Sequence, residues 1–309
     1  MRPVIVIGGP TASGKSSLAD EIAVRLNTDV LSADAMQVYR GMDVGTAKTP
    51  VCERRAPLRL VDIVDVDEPY SAALFQRDAR EHIERLSACG KAAVMCGGTG
   101  LYIRAAVDDM VFPSGVVDDE LRVELQSFAE KHGANAIYQL LEQRDPRAAE
   151  CIHPNNTRRV IRALEMYSQG LSYADQKNEY SRIGEYYPSL QFALTMSRDR
   201  LYERINARVD VMVDQGLVEE VEALVQKGYR DALTSMQAIG YKEIIGALEG
   251  EYSLEDAVDL VKQRSRRYAK RQLAWFRRDR RIIWIDMDRY TQKDAADFVL
   301  DQYNNSEMC

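Results

Sequence analysis

The sequence predicts an α/β fold, a phosphate-loop core with a parallel, doubly wound sheet that is interrupted by a helical insertion domain. Three observations carry that reading. Short apolar runs alternate with helical or glycine-rich stretches from residue 4 to residue 98, and such runs return after residue 189; strands that alternate with helices assemble into parallel sheets. The first strand-to-helix junction reads GPTASGKS at Gly9–Ser16. Near residue 113 the strand pattern stops, and helical spacing takes over until about residue 176.

In chain order, VIVIGG is a β-branched run ended by glycines, and SSLADEIAVRL sets Leu18, Ile22 and Leu26 at helical spacing. The loop between them fits G-x-x-x-x-G-K-[ST] in full, in the strand–loop–helix context that the motif demands. There the backbone N–H groups and the positive end of the helix dipole point into the loop, and Lys15 adds a mobile charge. Gly9, Pro10, Thr11, Ala12, Ser13, Gly14, Lys15 and Ser16 are therefore expected to hold a phosphorylated compound. Ser16 is the candidate metal ligand and Mg²⁺ the expected cofactor.

Further strands are expected at DVLSAD (29–34), LRLVDIVD (58–65) and AAVMCGG (92–98). Ligands of an open parallel sheet bind beyond the carboxyl ends of its strands. Asp34 lies at such an end, where a carboxylate can hold Mg²⁺ through water, serve as a general base toward an acceptor, or simply cap a helix. CGGTGLYIRA (96–105) is a glycine turn that carries Thr99; Gly97, Gly98 and Gly100 either admit a ligand to the backbone or form a plain strand-to-helix turn.

The core is expected to comprise residues 1–112 and 190–309, and the insertion residues 113–189. LQFALTMS (190–197) resumes strand character, two or three long helices follow, and RRIIWID (280–286) reads as the last strand. Within the late helices, VKQRSRRYAKRQLAWFRRDRR (261–281) sets ten Lys and Arg against one acidic residue, with Tyr268, Trp275 and Phe276 interleaved. That stretch suits an RNA backbone, or else it is a solvated helix face whose aromatics belong to the core. Arg158, Arg159 and Arg162 form a second basic cluster, with Arg158 and Arg162 on one helical face.

The formal charge of −7 and a pI near 5.3 argue against a generally basic coat for nucleic acid and leave only local patches. Five cysteines form no C-x-x-C pair and three histidines show no zinc spacing, as expected of reduced thiols in a cytoplasmic protein without zinc. No apolar run approaches a membrane span, and no secretory signal is expected.

Seven stretches, in this order, resemble the bacterial tRNA dimethylallyltransferase (tRNA isopentenyltransferase) family: GPTASGKS, SADAMQVYRGMDVGTAK, VDEPYSAALFQRDA, GGTGLYIRA, HPNNTRRVIRALE, MQAIGYKE and KRQLAWFRRD. The resemblance implies that the loop holds the diphosphate of dimethylallyl diphosphate, and that the acceptor is the exocyclic amine of the adenosine 3′ of the anticodon in tRNA. It gives Asp34 the role of base or amine-orienting group and puts Thr99 near the reacting groups. Arg204 and Arg208, four apart in ERINAR, are candidates for the same diphosphate or form a surface salt-bridge pair. Contacts to tRNA are implied at Asp34, Ala35, Met36, Gln37, Arg122, Arg158, Arg159, Arg162, Gln237, Gly240, Lys242, Lys270 and Arg271. The resemblance also implies a monomer. Two rival readings stand beside it: a small-molecule or nucleotide kinase that would bind ATP in the same loop, and a non-catalytic RNA-binding NTPase switch.

Overall fold

The computed structural model describes residues 2–112, 119–181, 184–232 and 235–306. It divides into two compact units, Met1–Asp108 with Glu185–Cys309, and Asp109–Gly184. The expected border at 112/113 touches residues outside the described ones, and the units part a few residues earlier. Asp108 is 1% exposed and ion-paired to Arg104 and Arg281, while the N–H groups of Tyr186 and Tyr187 both bond to the Val107 carbonyl, which binds these flanks to the first unit.

The first unit opens with β1 (Val4–Gly8), α1 (Lys15–Arg25), β2 (Val30–Ser32), β3 (Leu58–Arg59), α2 (Ala72–Ala88), β4 (Val94–Gly97) and α3 (Gly100–Val107). The second holds α4 (Asp119–His132), α5 (Ala134–Arg144), α6 (Pro146–Ala149), α7 (Thr157–Ser168) and α8 (Tyr173–Ser181). The chain returns to the first with β5 (Ser189–Thr195), α9 (Arg198–Asp214), α10 (Leu217–Gln226), α11 (Tyr241–Leu248), α12 (Leu254–Phe276), β6 (Ile283–Asp286) and α13 (Gln292–Ser306).

The six strands are parallel in the order β3-β2-β4-β1-β5-β6, with β1 paired to β4 and β5. An unbroken apolar run at β1 makes sense on a sheet covered on both faces. Val4 and Val6 pack with Phe75, Ala79 and Ile83 of α2, whereas Ile5 and Ile7 point the other way to Leu18 and Ile22 of α1 and Val299 of α13. Each of these four side chains contributes about 1.5–3 kcal/mol on burial, enough to fix the register of the central strand.

The strand expected over 58–65 shrinks to Leu58–Arg59, because Leu60 and Asp62 adopt positive φ angles of 62° and 55° and turn the chain off the sheet edge. The rest of that apolar run folds back instead, with the Ile63 N–H donating to the Val38 carbonyl at 2.7 Å and Leu60 buried in the core.

In the helical unit, Leu125, Ile137, Leu141, Val160 and Leu164 form a separate core. Asp145 accepts from the Ala148 N–H and Asn156 from the Arg159 N–H, so side chains cap the starts of α6 and α7.

Candidate active site

Gly14 has φ 95° and is the N-cap of α1, so the bend into the helix needs a residue without Cβ and brings no side-chain cap. The first N–H groups of α1 are thereby left for an anion. Lys15 reaches back so that Nζ donates to the Pro10 carbonyl at 3.2 Å. Burial holds its pKa below the ordinary lysine value, Arg208 pushes the same way, and Asp34 opposes them. Burial lowers the Arg208 pKa too, again against the pull of Asp34. Lys15, Arg208 and Asp34 therefore share one electrostatic neighbourhood, a cationic cradle with a carboxylate at its side. Arg204 lies one helical turn from Arg208 on α9, and its Nε donates to the Ala12 carbonyl at 2.8 Å. Neither arginine joins a salt bridge among the described residues.

Asp34 follows β2 and caps a turn rather than a helix: Oδ1 accepts from the Met36 N–H at 3.0 Å. The other oxygen accepts no hydrogen bond among the described residues. Thr99 stands beside it, its Oγ1 accepting from the Ala35 N–H at 3.1 Å and its own N–H donating to the Ala33 carbonyl. Burial pushes the Cys96 thiol, which lies close to Ser16, up to about 11.

The glycines at and after the end of β4 follow the plain strand-to-helix reading. A Cβ on Gly97 would meet the Ala33 carbonyl oxygen at 2.1 Å, one on Gly98 the Gln272 Nε2 at 2.0 Å, and one on Gly100 the Trp275 Nε1 at 1.9 Å. What comes close to this backbone is the protein's own chain.

The segment after Asp34 is held by its own network. Gln37 accepts from the Ser32 hydroxyl and donates to the Thr46 carbonyl, with Ala35 and Met36 half-buried nearby. Glu220 on α10 accepts from the N–H groups of Asp43, Val44 and Gly45 and from the Tyr241 hydroxyl. Lys48, buried, is clamped between Asp43 and Asp62, each at 2.6 Å. Gly240 is buried at φ 102°, where its N–H donates to Glu243, while Gln237 and Lys242 are exposed.

The basic stretch divides into cations held by partners and cations left exposed. Lys262 pairs with Asp210, Arg264 with Glu243, and Arg281 with Asp108, while Arg266 donates to Asn206, and Phe276 is buried in the core. Arg267, Lys270, Arg271, Arg277, Arg278 and Arg280 are exposed and form no ion pair among the described residues. In the helical unit Arg158 and Arg159 are exposed, but Arg122 and Arg162 both bind the buried carboxylate of Glu165. Their charge is partly committed to holding α4 and α7 together.

Sequence reasoning missed Gln272. It is 4% exposed on α12, its Oε1 accepts from the Thr11 N–H at 2.9 Å, and its Nε2 donates to the Gly98 carbonyl at 3.1 Å. A glutamine among lysines and arginines reads as solvated surface, and no local signal marks a bond to residues so distant in sequence.

Among the described residues no three His, Cys, Asp or Glu side chains gather as a metal cluster, and no helix is long and apolar enough to cross a membrane.

Comparison with known proteins adds a family. The model of the IPP transferase family matches residues 37–279. The chain is similar to the tRNA dimethylallyltransferase of Alkaliphilus oremlandii, with 45% identity over 305 residues that cover 98% of this chain and 97% of that protein. Among solved structures, the full-length tRNA isopentenylpyrophosphate transferase of Bacillus halodurans is 42% identical, with a TM-score of 0.72 and complete coverage of both chains, 100% each. A eukaryotic dimethylallyltransferase solved acting on tRNA is 28% identical, with a TM-score of 0.79 over 99% of this chain and 80% of that one.

Proposed function

The chain belongs to the IPP transferase family, and on that footing we propose that it transfers a dimethylallyl group from dimethylallyl diphosphate to the exocyclic amine of the adenosine 3′ of the anticodon in tRNA. The observation that carries the reading is the junction of a phosphate-binding cradle with an acid: Lys15 and Arg208 share their surroundings with Asp34, whose second oxygen is unengaged among the described residues. A kinase would use the same loop, but membership of this family favours the transferase.

Each group has work suited to its chemistry. The loop N–H groups, Lys15, Arg204 and Arg208 stabilise the diphosphate as the allylic carbon–oxygen bond breaks, in surroundings that exclude water from a carbocation-like centre. The adenine amine is a weak nucleophile, because its lone pair is delocalised into the ring. Asp34 orients it and accepts its proton, and Thr99, through the Ala35 N–H, holds the turn that carries Asp34. The base must leave its stack to arrive there, which calls for an RNA-gripping surface. Ala35, Met36, Gln37, Gln237, Gly240 and Lys242 contribute to it near the acceptor, Lys270 and Arg271 on α12, and Arg122, Arg158, Arg159 and Arg162 in the helical unit.

A Mg²⁺ ion fits the donor set in one manner. With no carboxylate cluster among the described residues, the substrate's phosphate oxygens would be its main ligands, joined by the exposed Ser16 hydroxyl and by Asp34 through water. When bound it would neutralise charge on the leaving group. The loop, Asp34 and Thr99 come from one chain, so a monomer suffices, and a tRNA substrate places the work in the cytoplasm.

The test supplies isotope-labelled dimethylallyl diphosphate and unmodified tRNA to the purified protein, with γ-labelled ATP in a parallel reaction. Label on the adenosine 3′ of the anticodon is the expected result. Phosphoryl transfer from ATP without prenyl transfer would overturn the proposal in favour of the kinase.

A further inference from the structure

We propose that Gln272 is a positioning residue that sets the spacing between the phosphate loop and the acceptor's acid, Asp34. The inference rests on the transferase reading above. One planar side-chain amide joins two separate backbone segments, accepting from the Thr11 N–H in the loop and donating to the Gly98 carbonyl in the turn after β4. The next residue, Thr99, accepts from the Ala35 N–H, and Ala35 follows Asp34 in the chain. A short series of hydrogen bonds thus runs from the donor's cradle to the group that handles the acceptor, and Gln272 is its link to the loop.

Three features tie the amide to that task. Nε2 occupies the place a Cβ on residue 98 would take, so the turn and the glutamine fit one another. Tyr268, one turn earlier on α12, lies close to both Thr99 and Gln272 and stays protonated, its pKa pushed up to about 12 chiefly by burial. An apolar residue of the same size would fill the volume but leave the Thr11 N–H and the Gly98 carbonyl without their partner. Transfer needs the amine and the allylic carbon at near-attack distance, and a misplacement of about 1 Å costs on the order of 10²-fold in rate.

The distinguishing variant is Gln272→Glu. Its ionised carboxylate keeps an acceptor for the Thr11 N–H but sets a negative oxygen against the Gly98 carbonyl, whereas its protonated form restores the donor. Single-turnover transfer is measured at saturating labelled donor and tRNA, as the ratio of variant to wild type at each pH. The titrations of Lys15, Tyr268 and Cys96 are common to both proteins and largely divide out. The ratio is expected to lie on the order of 10² below one at high pH and to climb toward one as the pH falls through the carboxyl's burial-raised pKa. Gln272→Met, measured where circular dichroism shows it folded, should stay slow at every pH and bind inorganic pyrophosphate within about threefold of wild type. A pH-independent ratio overturns the proposal, as does a folded Gln272→Met with wild-type transfer. If Gln272→Met does not fold, the ratio for Gln272→Glu decides alone. Wild-type protein without transfer in the same assay would instead refute the transferase reading.

Discussion

The loop after β1 and the carboxyl end of β4 both carry glycines at the mouth of a central strand, and they need them for different reasons. Gly14 takes a backbone angle, φ 95°, that side-chain-bearing residues rarely adopt, and the bend presents the first N–H groups of α1 outward. Gly97 has no such angle; it is glycine because the Ala33 carbonyl already stands where a Cβ would go. The first glycine makes room for a visitor, and the second lets the protein close on itself. A glycine pattern in a sequence reveals that something must come near the backbone, but a conformational need and a steric need look identical there.

Asp34 lies where these two turns meet and provides the most demanding test. Asp34→Ala should lower the single-turnover transfer rate by roughly 10² to 10⁴ with little change in donor affinity. A near-wild-type rate would reduce Asp34 to its hydrogen bond with the Met36 N–H and leave the two turns functionally unconnected.

On the open side, Lys15→Met should weaken diphosphate binding by about 2–5 kcal/mol, because the ligand's charge loses a partner in a sheltered site. The same change should raise the melting temperature, since it removes a cation whose burial disfavours the charged form. The pH dependence has a definite sign. Between the lowered folded pKa of Lys15 and the ordinary lysine value, the unfolded chain binds more protons than the folded one, so this group's contribution to stability rises with pH across that window. Diphosphate favours protonated Lys15, so donor affinity should fall as pH rises through the folded value. Calorimetric titrations across alkaline pH would check both effects, and Lys15→Met should abolish both dependences.

On the closed side, Gly97→Ala should destabilise the fold by about 1–3 kcal/mol through overpacking, measured by denaturant unfolding. Diphosphate affinity per folded molecule should not move. If affinity fell while stability held, the turn after β4 would also face a ligand and the contrast would fail.

The smallest effect concerns the exposed face of α12. Replacing Lys270 or Arg271 by Gln should flatten the slope of log tRNA affinity against log salt by roughly 0.7–0.9 for each phosphate that is no longer neutralised. Pyrophosphate binding to the loop should keep its own salt dependence. An unchanged tRNA slope would assign these cations to solvent.

How legible such features are depends on how far apart in the chain the cooperating residues lie. The strand, loop and helix around Gly9–Ser16 could be read because one short segment contains every requirement. So could β2, β4 and β5, whose apolar runs are buried on both faces, and the edge strand β6, in which Ile285 is buried. LRLVDIVD misled because a turn through Leu60 and Asp62 buries Leu60 and leaves its other apolar residues half-buried, and hydrophobicity records burial without recording direction. At the site, Lys15 and Asp34 stand where motif and strand end put them. Gln272, Glu220 and Glu165 were hidden, since each acts on a partner many residues away and resembles ordinary polar surface until the chain folds. Arg122 and Arg162 show the converse: basic residues expected to contact tRNA are bound to a buried glutamate.

The order of strands also sets a schedule for synthesis. β1 pairs with β4, Ile5 opposite Val94, and on its other side with β5, Val4 opposite Ser189. At about 5–20 residues per second, roughly 10–40 s separate the appearance of β1 on the ribosome from that of β5. For that interval the most apolar strand of the molecule has one unsatisfied edge, even after its first partner has been made. An unpaired edge of this kind recruits other strands. The nascent chain is therefore most vulnerable to aggregation while the helical unit is being translated, and slow codons there would prolong the exposure of β1.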